Sequence, residues 1–194
     1  MNIKKVKQLR ELTYVGLAKC KEALEATNWN VDLALVELQR MGELKARTSS
    51  RKETREGVIR TYVHGNRVAV MVEVNCETDF TARTELFSKF CDHLTWQIAA
   101  MHPLYLTTSD IPPEVEANMR SIFGDQVGDL VPENRLDHIV NGKMRKWFSE
   151  VCLMEQKSVV DEKGRTIEQC RAELVMQTDE QIVVRRFVRW ELGQ

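Results

Sequence analysis

Asn75-Cys76-Glu77-Thr78-Asp79-Phe80 marks the point where the sequence changes period. The run before it, Val68-Ala69-Val70-Met71-Val72-Glu73-Val74, reads as a β-strand. The run after it, from about Ala82 to Met101, places Leu86, Phe90, Leu94, Ile98 and Met101 on one helical face, and Pro103 ends it. A strand therefore stops and a helix starts across this junction, leaving an acid and a large aromatic side by side at the helix entrance. With Thr81 as N-cap, the usual hydrophobic staple would pair Phe80 with Glu85. With Asp79 as the cap, it would pair Thr78 with Arg83, and Phe80 would sit in the first turn. Neither register gives Phe80 a local apolar partner. Two readings stand: the ring dives into the chain's own core, or it projects as a wedge, with a neighbouring carboxylate, into another protein.

Working outward, Val58-Ile59-Arg60-Thr61-Tyr62-Val63 and the strand ending at Val74 flank Gly65-Asn66, a good hairpin turn. The second strand is apolar at nearly every position, which predicts cover on both of its faces. Downstream, Ile111 to Leu130 reads as a helix. Pro132 and Glu133 open another, carrying Leu136, Ile139, Val140, Met144, Trp147 and Phe148. Val151 to Val160 reads as extended, Asp161 to Gly164 as a turn, and Thr166 as the cap of a helix to Met176. Ile182 to Leu192 is a closing strand rich in β-branched and aromatic residues. Strict alternation there sends Arg185 and Arg186 to opposite faces. The expected body is α+β, with an antiparallel sheet of about three strands backed by helices.

Upstream, three short helices are expected. Ile3, Val6 and Leu9 line the first; Gly16 breaks the chain; Leu17, Cys20, Ala23 and Leu24 line the second. Asn30 caps a third with Val31, Ala34, Leu35 and Leu38 inward, Gly42 supplies a stop, and Trp29 is available to close the small core. Lys45 to Glu56 contains almost nothing apolar. The expected organisation is a three-helix module over 1–44, a charged linker over 45–56 and an α+β core domain over 57–194.

The composition narrows the function. Formal net charge is −1, so there is no global case for nucleic acid, although residues 1–60 hold 13 Lys and Arg against 8 Asp and Glu. No apolar run approaches the roughly 18–20 residues that span a bilayer, and the amphipathic start does not look like a secretion signal, so a cytoplasmic location is expected. Five cysteines without a C-x-x-C pair point to free thiols in a reducing compartment. The four histidines show no metal-ligand spacing. No phosphate-binding glycine loop follows a strand, and no nucleophile motif occurs. A binding protein without cofactor or metal, rather than an enzyme, is the expectation.

At this point the residues resemble a known family. The order of three-helix module, charged linker, hairpin, Asn75-Cys76-Glu77-Thr78-Asp79-Phe80 and closing Ile182-Val183-Val184-Arg185-Arg186-Phe187 resembles bacterial elongation factor Ts in its short, single-core form. Thr13, Gly16, Cys20, Lys21, Ala23 and Leu24 agree with it, as do Gly57-Val58-Ile59, Gly142, Arg145-Lys146 and Glu155-Gln156. The resemblance implies guanine-nucleotide exchange on the translational GTPase elongation factor Tu, with no direct nucleic-acid or membrane partner. It implies that the first module is similar to ubiquitin-associated domains and grips the GTPase through Arg10, Gly16, Leu17 and Lys21. Thr78, Asp79, Phe80 and Thr81 would form the intruding loop that disturbs the magnesium site, with Phe80 as the wedge. Asp179, Glu180 and Gln181 would add a late-loop contact, and Val188 and Trp190 would meet a second copy in a homodimer. Two departures stand out. Lys19 replaces an acid of the family pattern, and Thr178-Asp179-Glu180-Gln181 replaces Ile-Gly-Glu-Asn. Another reading from the residues is an adapter, in which the first module binds a partner and the core only dimerises.

Overall fold

A computed structural model describes residues 3–48, 53–127 and 133–194. The middle of the charged linker, the last residues of the helix expected to reach Leu130 and the helix-opening Pro132 lie outside the described residues. Three helices come first: α1 (Ile3–Thr13), α2 (Leu17–Ala26) and α3 (Val31–Thr48). The hairpin β1 (Glu56–His64) and β2 (Val68–Cys76) follows, then α4 (Asp79–Ala82) and α5 (Glu85–Met101). A helical hairpin, α6 (Pro113–Val127) and α7 (Glu133–Val151), leads to α8 (Ile167–Thr178) and β3 (Val183–Glu191). The architecture is α+β, as expected.

The sheet is antiparallel throughout, with β2 central and β1 and β3 on either side. Gly65 and Asn66 both take positive φ (54° and 57°), the pair of conformations a type I′ turn needs, and the Arg67 amide donates to His64 C=O at 3.0 Å. Val70, Val72, Val74 and Cys76 of β2 are buried against α5, where Phe87, Phe90, Cys91, Leu94 and Ile98 meet them. That face completes the main core with Leu153, Ile167, Leu174, Val175, Ile182 and Val184.

Cover on both faces of β2 is not found. Met71 is exposed, and the opposite face of the sheet carries exposed Ile59, Val63, Val188 and Trp190. An antiparallel sheet can leave one face open, and here an apolar one is left. The helical stripe on α5 is also rotated from the expected one: Phe87 and Cys91 point inward, whereas Leu86 and Met101 are exposed. The reason is that a step of four residues overshoots a turn of about 3.6 residues, so the row Leu86-Phe90-Leu94-Ile98 drifts round the helix, while Phe87, Phe90, Cys91, Leu94 and Ile98 share the face that meets the sheet. The chain also breaks at Arg83-Thr84. Thr84 caps α5 by accepting from the Phe87 amide at 3.3 Å, so α5 starts afresh after the single turn of α4. Arg185 and Arg186 are both exposed, because a β-bulge opposite Glu73 and Val74 inserts Arg185 as an extra residue and breaks the alternation.

The third helix does not stop at Gly42. It continues to Thr48, and Gly42 serves packing instead: a Cβ there would lie 2.7 Å from Met176 Cγ and 2.8 Å from the Ala172 carbonyl oxygen of α8. Glycine lets the two helices approach. Met176 joins Val6, Leu9, Val15, Cys20, Ala23, Leu24, Ala34 and Leu38 in the second core, while Ala46 of α3 belongs to the first. Trp29 packs, half-buried, against the second core.

The stretch expected to be extended over 151–160 is irregular. Cys152 forms a parallel bridge with Tyr105, and Leu153–Glu155 is a 3₁₀ turn. Two fully buried glutamines hold it. Gln97 Nε2 donates to Gln156 Oε1 (3.0 Å) and to Lys157 C=O (3.1 Å), and Gln97 Oε1 accepts from the Val159 amide (2.8 Å). Thr166 caps α8 as expected, in a reciprocal capping box with Gln169.

Candidate functional site

The strand β2 delivers the chain to Cys76 at the edge of the main core, and the next residues turn away from it. Thr78, extended at φ −129°, is the N-cap of α4, and its Oγ1 accepts from the Thr81 amide at 3.4 Å. The cap is thus Thr78, and neither Asp79 nor Thr81. With this register Phe80 falls in the first turn facing outward, where it is 81% exposed, while Thr81 is 6% exposed and faces the body. A Phe side chain left in water forgoes about 1.5–3 kcal/mol of burial. Asp79 is half-buried and pairs with Arg83 at 2.9 Å.

What fixes this turn comes from far along the chain. Glu180 Oε2 accepts from the amides of Glu77 (3.2 Å) and Thr78 (3.0 Å), and Oε1 accepts from Thr78 Oγ1 (2.6 Å). Glu77 Oε1 in turn accepts from the Gln181 amide at 2.7 Å. Cys76 Sγ donates to Thr78 C=O at 3.1 Å. Gln181 is buried and donates through Nε2 to Ala46 C=O of α3 at 3.0 Å.

Asp179 terminates α8 in the left-handed conformation (φ 63°) that Asp tolerates better than most residues. Its Oδ1 is paired with both Lys19 of α2 and Lys45 of α3, and Lys45 Nζ also donates to the Asp179 C=O at 2.8 Å. These two ammonium groups, Lys19 first, hold the Asp179 carboxyl down at about 2, from an ordinary 3.8. The structure therefore brings Asp179, Glu180 and Gln181 together with Thr78, and through it with Phe80.

Arg10, Gly16, Leu17 and Lys21 are exposed at the junction of α1 and α2 and along α2. Lys21 lies 3.6 Å from Glu25, one helical turn on. Beside them Tyr14, in left-handed backbone at φ 58°, lines a cleft of about 330 Å³ together with Leu12, Leu86 and Lys89. That cleft runs from the first module to the start of α5. A larger cavity, about 860 Å³, is lined by Asn75, Gln181, Arg171 and Val184 and includes neither Asp79 nor Phe80. Val188 and Trp190 lie on the open sheet face, with Trp190 68% exposed. Cross-strand pairing sets Trp190 beside Ala69, whose other neighbour is Val63 of β1, and Val188 beside Met71. Lys19 stood out in the sequence only as a departure from the family pattern, and nothing there pointed to Lys45 or Glu77 as holding this site; the partners of all three lie more than 100 residues away.

Among the described residues no group of three or more His, Cys, Asp or Glu is placed to hold a metal ion, and no helix is long and apolar enough to cross a membrane. All five cysteines are free. Burial pushes the Cys76, Cys152 and Cys170 thiols up to about 11 and Cys91 up to about 12, the opposite of what a nucleophile requires.

Fold and site together define a class: an α+β chain with two joined cores, whose exposed aromatic sits on a one-turn helix braced from within. A family model described as Elongation factor TS matches residues 3–194. "Elongation factor Ts" of Rubrobacter xylanophilus is 44% identical over 192 residues, covering 98% of each chain. That of Thermotoga maritima is 40% identical over 190 residues, covering 97% of this chain and 94% of its own. That of Thermosipho melanesiensis is 39% identical over 196 residues, covering all of both. The chain belongs to the elongation factor Ts family.

Proposed function

We propose that the chain is a guanine-nucleotide exchange factor for elongation factor Tu, acting in the cytoplasm by contact and without chemistry of its own. The observation that carries this reading is Phe80: a large ring, exposed at 81%, on a turn held in place by hydrogen bonds rather than left loose. A nucleoside diphosphate is held largely through its phosphates, by backbone amides and a bridging Mg²⁺. A rigid wedge that moves the helices around that site removes electrostatic stabilisation without touching a covalent bond. Coupling of this kind is reciprocal, so the factor binds the empty GTPase more tightly than the loaded one. In this reading residues 1–44 grip the GTPase domain through Arg10, Gly16, Leu17 and Lys21. Residues 57–194 carry the wedge, and 45–56 join the two.

The open apolar face of the sheet supports a second part of the reading, a homodimer formed through Val188 and Trp190 on β3. An apolar sheet face of this kind is a self-complementary surface for a two-fold pair.

Stopped-flow release of labelled GDP from elongation factor Tu tests the wedge. Phe80→Ala should slow stimulated release at least tenfold, a loss equivalent to about 1.4 kcal/mol of coupling, with the circular dichroism spectrum unchanged. Unchanged release would remove Phe80 from the mechanism. Partner capture by the full chain without any stimulated release would favour the adapter reading.

A further inference from the structure

Four of the five consecutive residues at the end of α8, all but Thr178, reach other elements of the molecule. Gln177 Nε2 donates to Thr13 C=O at the end of α1 (2.9 Å), and Thr178 Oγ1 closes on its own helix at Leu174 C=O (2.8 Å). Asp179 pairs with Lys19 of α2 and Lys45 of α3. Glu180 takes two amides and a hydroxyl of the turn before α4, and Gln181 holds α3 at Ala46 while its own amide bonds Glu77. The carboxylates of Glu77 and Glu180 cross over, each satisfying backbone donors of the other's segment.

This matters because α4 is a single turn of four residues. Helix nucleation is unfavourable, so a lone turn has no stability of its own and takes the pose its flanks impose. On the far side the Arg83 amide bonds the Asp79 and Phe80 carbonyls, which are internal to the turn. On the near side Glu180 accepts from the Glu77 and Thr78 amides as a charged group, and hydrogen bonds to a charged group are about twice as strong as neutral ones.

We propose that the segment 177–181 is a brace, in which Glu180 sets the pose of the Phe80-bearing turn and Asp179 adds to the α3–α8 packing that keeps the three-helix module in register with it. Asp179 and Glu180 are then positioning residues that present two separate surfaces to one GTPase as a single rigid body. The advantage is preorganisation: two surfaces already in register lose less freedom on binding, and the second contact forms at high effective concentration. The proposal deepens the exchange reading and rests on it for the identity of the partner.

The test uses the full chain and two variants, Glu180→Gln and Asp179→Asn. Hydrogen exchange in the free protein comes first. Glu180→Gln should speed exchange at the Glu77 and Thr78 amides by about tenfold or more, leaving the Val72 amide of β2 as in the wild type. Unchanged protection at Glu77 and Thr78 overturns the brace. Asp179 lies at the surface, so Asp179→Asn is the variant that keeps the fold. In stimulated GDP release, Glu180→Gln should lower the maximal rate several-fold at a near-constant half-saturating concentration. Asp179→Asn should raise the half-saturating concentration at a near-constant maximal rate, and added salt should erase its difference from wild type. Identical effects of both variants on both parameters would overturn the division of roles. If Phe80→Ala is without effect on release while the amide result holds, Phe80 is not the wedge and the brace stands. If the wild type stimulates no release at all while the amide result holds, the exchange reading fails and the brace stands.

Discussion

Asp179 shows how two departures from a family pattern can answer each other. Lys19 stands where an acid is usual and Asp179 where a glycine is usual, and the structure pairs them. The Asp179 pKa lies below its ordinary value, so the pair contributes stability above about pH 3.8 and loses it as pH falls through about 2. Asp179 is largely exposed, which caps the contribution at the roughly 0–1 kcal/mol of a surface ion pair. A double-mutant cycle with Lys19→Ala and Asp179→Asn, read by urea unfolding, should give a coupling of up to about 1 kcal/mol at pH 7. That coupling should shrink between pH 4 and pH 2 and fall with added salt. A coupling that grew on acidification would mean that another group carries it.

Helices α3 and α8 are the elements that tie the two cores together, and Gly42 sets how close they come. Alanine in an exposed helix interior would gain about 1 kcal/mol over glycine. At Gly42 the added methyl would meet the Ala172 backbone oxygen at 2.8 Å, an atom that cannot swing aside as Met176 can. Overpacking costs about 1–3 kcal/mol, so the clash outweighs the propensity. Gly42→Ala should therefore lower the urea midpoint by the equivalent of about 1 kcal/mol with an unchanged slope. A gain in stability would show that the helices separate freely and that the contact is not close in solution.

For the molecule as a whole, the sheet is the asymmetric object: helices on one face, Ile59, Val63, Met71, Val188 and Trp190 on the other. The Glu73–Arg186 pair, at 2.7 Å, sits at one end of that apolar face and places charge at its border. If a second copy covers the face, Trp190→Asp should yield a monomer in sedimentation velocity, with the helices and core intact by circular dichroism. Wild type sedimenting as a monomer at tens of micromolar would remove the dimer from the proposal.

Much of this was legible along the chain because it is local. Period-two and period-3.6 patterns identify the hairpin, the closing strand and most helices. Asn30 and Thr166 mark their helix starts because a cap is a bond between neighbours, 3.1 Å from Asn30 Oδ1 to the Leu33 amide. The exposed wedge was one of two readings open at Phe80, since a missing staple partner says only that no nearby residue covers the ring. The tertiary structure decided the rest. Gly42 reads as a stop until α8 lies against it, and a bulge upsets the alternation at Arg185. The face of α5 that is buried is the one that meets β2, centred on Phe87 and Leu94 and leaving Leu86 out. The brace is invisible in sequence, since Glu180 and Thr78 meet only after the intervening chain has folded. Contacts whose entropy cost is met by a whole folded core leave no periodic trace, whereas caps, turns and amphipathic faces do, being set by the residues next door.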